Sequence, residues 1–340
     1  MHPFVEQGFL AQTLAGKTGI TLPFCLPGGA HVQVMDEGII RFEPREPELR
    51  QLDLVISCGV HGNETAPVEL VDRLITRILD GELRVRNRVL FVMGNVEALC
   101  AGERFIEEDM NRLFCRAPEN DDGHERRRAT MLEMHLLRFF GRSVADTVAR
   151  YHYDLHTAIH GSLIEKFAIY PLQRAGRPFQ AVEMARLAQA GVEAFLLQST
   201  TSTTFSYFST RYCDATAFTI ELGSAKPFGQ NGGTDLSKME GYLAGLIEGE
   251  LPQPELTGEN YAAQVGSPVF RVSREVIKHS ANFRLMIDGK TDNFTPLPQG
   301  MLLAEDCAGP VVVTEAGARI IFPNPDVAVG QRAGLIIVPA

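Results

Sequence analysis

Three apolar runs in this 340-residue chain end in acid or imidazole side chains. LVISCGVHGNETAP sets His61 and Glu64 three positions apart beside two glycines. YHYDLHT ends with Asp154 and His156, and TAFTIELG carries Glu221 among apolar neighbours. Two imidazoles and a carboxylate form a ligand set used by catalytic zinc, which leaves a fourth position for water. Glu221 is then the natural carboxylate to move a proton beside that water, its pKa set by burial and by the nearby metal. Taken singly, the residues have plainer readings. Glu64 suits the first turn of a helix, where the dipole favours an acid. Asn63 suits a helix N-cap, and His156 can be a hydrogen-bonded residue at a strand end. Together the plain readings weaken, because a carboxylate at a buried strand end is costly unless paired or metal-bound.

A metal site of this kind needs elements that bring distant residues together. Short apolar runs predict buried strands at Leu52 to Gly59, Arg88 to Asn95, Tyr151 to Thr157, Lys166 to Leu172, Glu193 to Leu197 and Thr216 to Gly223. Helical spacing predicts helices over Glu64 to Asp80, from Met131 to Phe140, over Phe179 to Ala190 and over Asp235 to Glu248. Strands alternating with helices imply an α/β fold, with a mostly parallel sheet flanked by helices. In such sheets ligands gather at the C-terminal ends of the strands. After Glu248 the pattern changes: GELPQPELTG reads as a linker, and short alternating segments beyond it read as a small C-terminal β domain. The expected division is a catalytic domain over 1–248, a linker over 249–256 and a β domain over 257–340.

Composition narrows the partners. The formal net charge of −10 disfavours nucleic acid and anionic membrane surfaces. It also repels a small anionic substrate, unless the site carries its own arginines. ERFIEEDMNR offers Arg104, Asn111 and Arg112, residue types suited to gripping a carboxylate. The plain reading of that stretch is a solvated loop with ion pairs to Glu107, Glu108 and Asp109. Six scattered cysteines without a CxxC pair argue against a disulfide framework or a zinc knuckle. Cys58, inside an apolar strand, reads as core packing. No apolar run reaches the roughly 18 residues of a membrane span, and the N-terminus lacks a basic leader. The expected setting is the cytoplasm, with the oligomeric state open.

HGNE, then DMNR, then DLHTA, then IELG is a motif order that resembles the aspartoacylase/succinylglutamate desuccinylase family. HGNETAPVE, DMNRLF, DLHTAIHGS, ELGSAKPFGQN, KHSANF, IIFPNP and QRAGL all carry the resemblance, which runs from about Gly59 to the C-terminus. It implies a zinc carboxypeptidase-like fold with one zinc ion per chain on His61, Glu64 and His156. It implies Glu221 as general base and later acid, and substrate contacts from Arg104, Asn111, Arg112 and Arg211, the last lying ten residues before Glu221. A tyrosine that the family contributes from its C-terminal domain has no match here. Asp154 is placed to orient His156, with a helix cap as its plain reading. His160 has the spacing of a further ligand but reads as a rim residue, since the set of three is complete. The implied reaction is hydrolysis of the amide of N2-succinyl-L-glutamate to succinate and L-glutamate, the last step of arginine breakdown by the succinyltransferase route. The alternatives are another N-acyl amino acid, such as N-acetylaspartate, and a non-catalytic dicarboxylate-binding protein.

Overall fold

The computed structural model describes residues 3–115, 122–141, 148–158, 161–254 and 265–340. The expectations for His160 and for the linker end at 255–256 lie outside the described residues. The first part of the chain forms helices α1 (Pro3–Gln7) and α2 (Phe9–Leu14), then strands β1 (Phe24–Cys25), β2 (His31–Asp36) and β3 (Ile39–Glu43). The α/β alternation follows: β4 (Leu52–Cys58), α3 (Thr65–Leu79), β5 (Arg88–Met93), α4 (Val96–Ala101) and α5 (His124–Gly141). It continues as β6 (Ala149–Ala158), β7 (Lys166–Tyr170), α6 (Ala181–Gln189), β8 (Ala194–Leu197), α7 (Phe205–Tyr212), β9 (Thr216–Ser224) and α8 (Ser237–Ile247). The C-terminal strands are β10 (Val269–Ile277), β11 (Arg284–Leu285), β12 (Leu302–Asp306), β13 (Gly309–Val312), β14 (Arg319–Ile321) and β15 (Arg332–Pro339).

Among the described residues, twelve strands form one sheet in the order β1-β2-β3-β5-β4-β6-β9-β7-β8-β10-β15-β14. Its centre, β5-β4-β6-β9, is parallel. β7 runs antiparallel to β9, and both edges are antiparallel. β4 shows why a continuous apolar run belongs in the middle. All seven of its residues are buried, because parallel partners flank it and helices cover both faces. Leu54, Ile56 and Cys58 face a core shared with α3, α6 and α8, whereas Val55 faces a second core built on α5 and α7. Cys58 is thus a packing residue, and burial pushes its thiol well above the ordinary value. Among the described residues, no helix is long and apolar enough to cross a membrane.

Two features depart from what the local pattern suggests. The hairpin β2–β3 caps one end of the sheet through antiparallel pairing of β3 with β5. Its short alternation, with Val32 and Val34 buried on one side, lies in a region with no motif. At the other end, β10 pairs in parallel with β8, and β15 and β14 follow it. These C-terminal strands therefore prolong the large sheet, while β11, β12 and β13 form a separate three-stranded sheet. The physical reason is the open backbone edge of β8, which another strand can satisfy.

Candidate metal centre

β4 ends where Gly59 adopts φ +62, and the next residues turn back across the sheet end. The turn is held to the start of α4: Gly94 N donates to Cys58 O at 2.8 Å and Asn95 N to Gly59 O at 2.7 Å. Gly62 N donates to Arg104 O at 3.2 Å. A Cβ on Gly62 would overlap the backbone of Ala98 and Leu99. Gly62→Ala is therefore expected to push His61 and Glu64 out of place, lowering stability by about 1–3 kcal/mol and weakening metal binding. Thermal melting and a zinc titration check this; parent-like values in both would show that the turn has slack.

Glu64 occupies the N-cap position of α3, yet its carboxylate makes no cap hydrogen bond. Asn63 is therefore not the cap, and its Oδ1 is buried without a hydrogen-bond partner among the described residues. The Glu64 carboxylate instead faces two imidazoles. Oε1 lies 2.8 Å from His61 Nδ1, and Oε2 lies 3.0 Å from His156 Nδ1. Thr157 N donates to Oε2 at 3.0 Å, and Arg104 Nη1 donates to Oε1 at 3.0 Å. His156 and Glu221 are register partners on β6 and β9, so both side chains leave the sheet on the same face. Three strand ends thus supply the His–Glu–His group and the second carboxylate.

His61 and His156 each also have an aspartate on the other nitrogen. His156 Nε2 meets Asp154 Oδ2 at 3.0 Å, and His61 Nε2 meets Asp109 Oδ1 at 2.9 Å. Asp109 is the neighbour of His61 that local reading missed. Its plain assignment was a surface ion pair, and its position inside DMNR, beside Asn111 and Arg112, was the available signal. Such carboxylates fix the tautomer of a ligand imidazole and raise its basicity.

Electrostatics follow from burial and from these pairs. Burial raises the Glu64 carboxyl, but the two imidazoles overrule it and hold it well below the usual range. Burial likewise opposes ionisation of Asp109, whose pKa is nevertheless depressed by His61, Arg112 and Arg104. For His156 burial works against the charged form, but Asp154 and Glu64 raise its pKa well above the ordinary value. Glu221 goes the other way, pushed up to about 7, chiefly by burial. Its Oε2 is buried without a hydrogen-bond partner among the described residues.

The donor set fits a zinc ion. One ligand atom each from His61, Glu64 and His156 lie within 4.8 Å of one another. Tetrahedral zinc with bonds of about 2.0–2.1 Å holds neighbouring ligand atoms roughly 3.3 Å apart. Small side-chain shifts span the difference, and the unpartnered Glu221 oxygen faces the same group of charges.

Arg104 reaches this centre, with Asp109 Oδ2 3.6 Å from its Nη2. The loop that carries it is pinned by buried Glu125, which accepts the backbone N–H groups of Ile106, Glu107 and Glu108. Asn111 is buried, and its Oδ1 accepts from Phe205 N at 3.0 Å, tying the loop to the start of α7. Arg112 is exposed and donates to the carbonyl of Asn111. Arg211 is exposed at the end of α7, its guanidinium 6.0 Å from the Tyr212 ring centroid. No contact among the described residues joins Arg211 to the ligand group.

The chain is similar to known proteins over most of its length. The family model for the succinylglutamate desuccinylase/aspartoacylase catalytic domain matches residues 50–246, and that for the AstE/AspA barrel-sandwich hybrid domain matches residues 267–340. A succinylglutamate desuccinylase of Pseudomonas putida is 48% identical over 326 residues, 96% of this chain and 93% of that protein. The crystal structure of the succinylglutamate desuccinylase from Chromobacterium violaceum shares 39% identity at a TM-score of 0.83, covering 98% of each chain. The enzyme of the same name from Vibrio parahaemolyticus shares 33% identity at a TM-score of 0.87, covering 98% of this chain and 95% of its own.

Proposed function

This chain belongs to the succinylglutamate desuccinylase/aspartoacylase family, and we propose that it is a zinc-dependent hydrolase of the amide bond of N2-succinyl-L-glutamate. The products are succinate and L-glutamate, as in the closing step of arginine breakdown by the succinyltransferase route. One observation carries the reading. A buried carboxylate with a pKa pushed up to about 7 stands in register with one histidine of a His–Glu–His group. A general base needs a pKa near the operating pH and a place beside the reacting water.

His61, Glu64 and His156 would hold the ion. When bound there, zinc supplies Lewis acidity, making water more acidic and polarising the amide carbonyl. Glu221 takes the proton of the attacking water and later delivers it to the leaving nitrogen. Asp109 and Asp154 keep the two imidazoles in the ligating orientation. Arg104, placed between Glu64 and Asp109, stabilises the oxygen on which charge builds. Asn111, Arg112 and Arg211 are assigned to the substrate carboxylates. The substrate carries three of these, which an acidic protein can hold only with local cationic and amide side chains. Arg104→Ala is expected to lower kcat about 100-fold, an effect of roughly 3 kcal/mol, with zinc content unchanged. Steady-state kinetics with metal analysis test it, and parent-like kcat would remove Arg104 from the reaction.

The deciding experiment measures glutamate release from N2-succinylglutamate by zinc-loaded protein, paired with chelator-stripped protein. Release that vanishes on stripping and returns with zinc supports both substrate and metal. Folded, zinc-replete protein that releases no glutamate, yet cleaves N-acetylaspartate, overturns the succinylglutamate assignment and makes another N-acyl amino acid the substrate.

A further inference from the structure

Behind His156 lies a line of buried polar side chains that reaches through the sheet end to α7. Ser209 Oγ is 2.7 Å from His152 Nδ1, and His152 Nε2 is 2.8 Å from Ser57 Oγ. Ser57 Oγ donates to Asp154 Oδ1 at 2.6 Å, and Asp154 Oδ2 meets His156 Nε2. Ser57, His152, Asp154 and Ser209 are all 0% exposed. His152, Asp154 and His156 alternate along β6 and so share one face, and Ser57 is the register partner of Asp154 on β4.

Counting protons leaves one arrangement. An ionised Asp154 can only accept, and Ser57 has a single hydroxyl hydrogen, which goes to Oδ1. His152 must then give its Nε2–H to the Ser57 oxygen. Its Nδ1 carries a lone pair and accepts the hydrogen of Ser209. This arrangement belongs to the neutral ring, which burial favours by lowering the His152 pKa to about 4. The Phe205 ring stands edge-on to this imidazole at 4.8 Å between centroids, which limits its rotation. Every donor in the line points toward Asp154. Both carboxylate oxygens are committed, so Asp154 can receive only an Nε2–H from His156, which leaves Nδ1, the nitrogen facing Glu64 Oε2, as the one turned to the ligand group.

We propose that Ser57, His152 and Ser209 are positioning residues that act through Asp154 to fix the tautomer and ring orientation of the metal ligand His156. The proposal rests on the reading of His61, Glu64 and His156 as metal ligands. It also separates the two imidazoles. Asp109, the partner of His61, is 22% exposed at its side chain and backed by Arg104 and the Asn111 N–H. His156 is backed by a line of side chains that are all 0% exposed.

A buried cluster that served only core satisfaction would move stability and nothing at the metal. The test therefore reads the metal directly. Zinc affinity is measured by competition with a chromophoric chelator, and the visible spectrum of the cobalt-substituted protein is recorded, for the parent, Ser57→Ala, Ser209→Ala and Ser209→Thr. Removing partners behind a ligand typically weakens metal binding by about 10–100-fold. That loss, with an altered cobalt spectrum, is expected for Ser57→Ala. A smaller loss is expected for Ser209→Ala, and parent-like values for Ser209→Thr, which keeps the hydroxyl. If Ser57→Ala does not fold, Ser209→Ala decides, since it removes only the outermost hydroxyl. Folded alanine variants that bind zinc within twofold of the parent, with unchanged cobalt spectra, overturn the positioning role. A parent whose zinc binding survives His61→Ala and His156→Ala together overturns the ligand assignment itself.

Discussion

Glutamine in place of Glu221 is expected to lower turnover of N2-succinylglutamate by about 100- to 10,000-fold, the usual contribution of a general acid–base group, while zinc stays bound. Glutamine keeps the shape and removes the proton acceptor, and Glu221 is not among the three ligand atoms that cluster. The pH behaviour separates this from a packing defect. In the protein without metal Glu221 titrates at about 7, and a cation beside it favours the ionised form. The acid limb of the parent's rate profile should therefore fall below pH 7 and disappear in the variant. Stability should show the opposite preference. The folded pKa is raised from its ordinary 4.5 to about 7, so the folded state without metal holds a proton that the unfolded chain releases. The parent loses stability as pH rises from 4.5 to about 7 and is level above that. Glu221→Gln escapes this loss, and without metal it should exceed the parent by roughly 3 kcal/mol above pH 7, with the gap closing toward pH 4.5. Near-parent kcat in a zinc-loaded variant would exclude Glu221 as the base.

His156→Ala should be the more damaging change, because two effects coincide. It deletes a ligand, so dialysed protein should carry little zinc and turn over no faster than the stripped parent. It also leaves the carboxylates of Asp154 and Glu64, 0% and 2% exposed, without their shared imidazole. Breaking a buried pair in this way typically costs about 3–5 kcal/mol. Both carboxyls are held below their ordinary pKa in the parent. Their stabilising contribution is thus present above the unfolded carboxylate range and lost as pH falls through the folded values. Melting curves should show the largest gap between parent and variant near neutral pH, narrowing in acid. Stoichiometric zinc in the variant would remove His156 from the ligand set.

The chemistry of the centre was legible because its short-range part is local. The three-residue spacing of His61 and Glu64, the DLH step and the acid in TIELG sit at the ends of apolar runs, and those runs are the strands β4, β6 and β9. The helices from α3 onward that carry a long apolar stripe could be read for the same reason. Helix α7 could not, since Phe205–Tyr212 is short and mixed, although Thr204 caps it through Tyr207 N. It proves to be the element that ties down Asn111 and reaches His152.

What the sequence by itself determined is therefore the types of residue at the candidate metal centre, their local spacing and the alternation that builds a sheet. The tertiary structure alone decided which strands are neighbours. The order β4-β6-β9 brings His61 and Glu64 to His156, and sets His156 opposite Glu221. It also decided that Asp109 serves His61 rather than solvent, that Ser57 and His152 share a hydrogen bond across 95 positions, and that β10, β15 and β14 extend the main sheet. The reason is physical. Periodicity and turns report the preferences of neighbouring residues, whereas strand order and register follow from burial summed over the whole chain. A hydrogen bond between distant side chains leaves no mark in the local pattern of either.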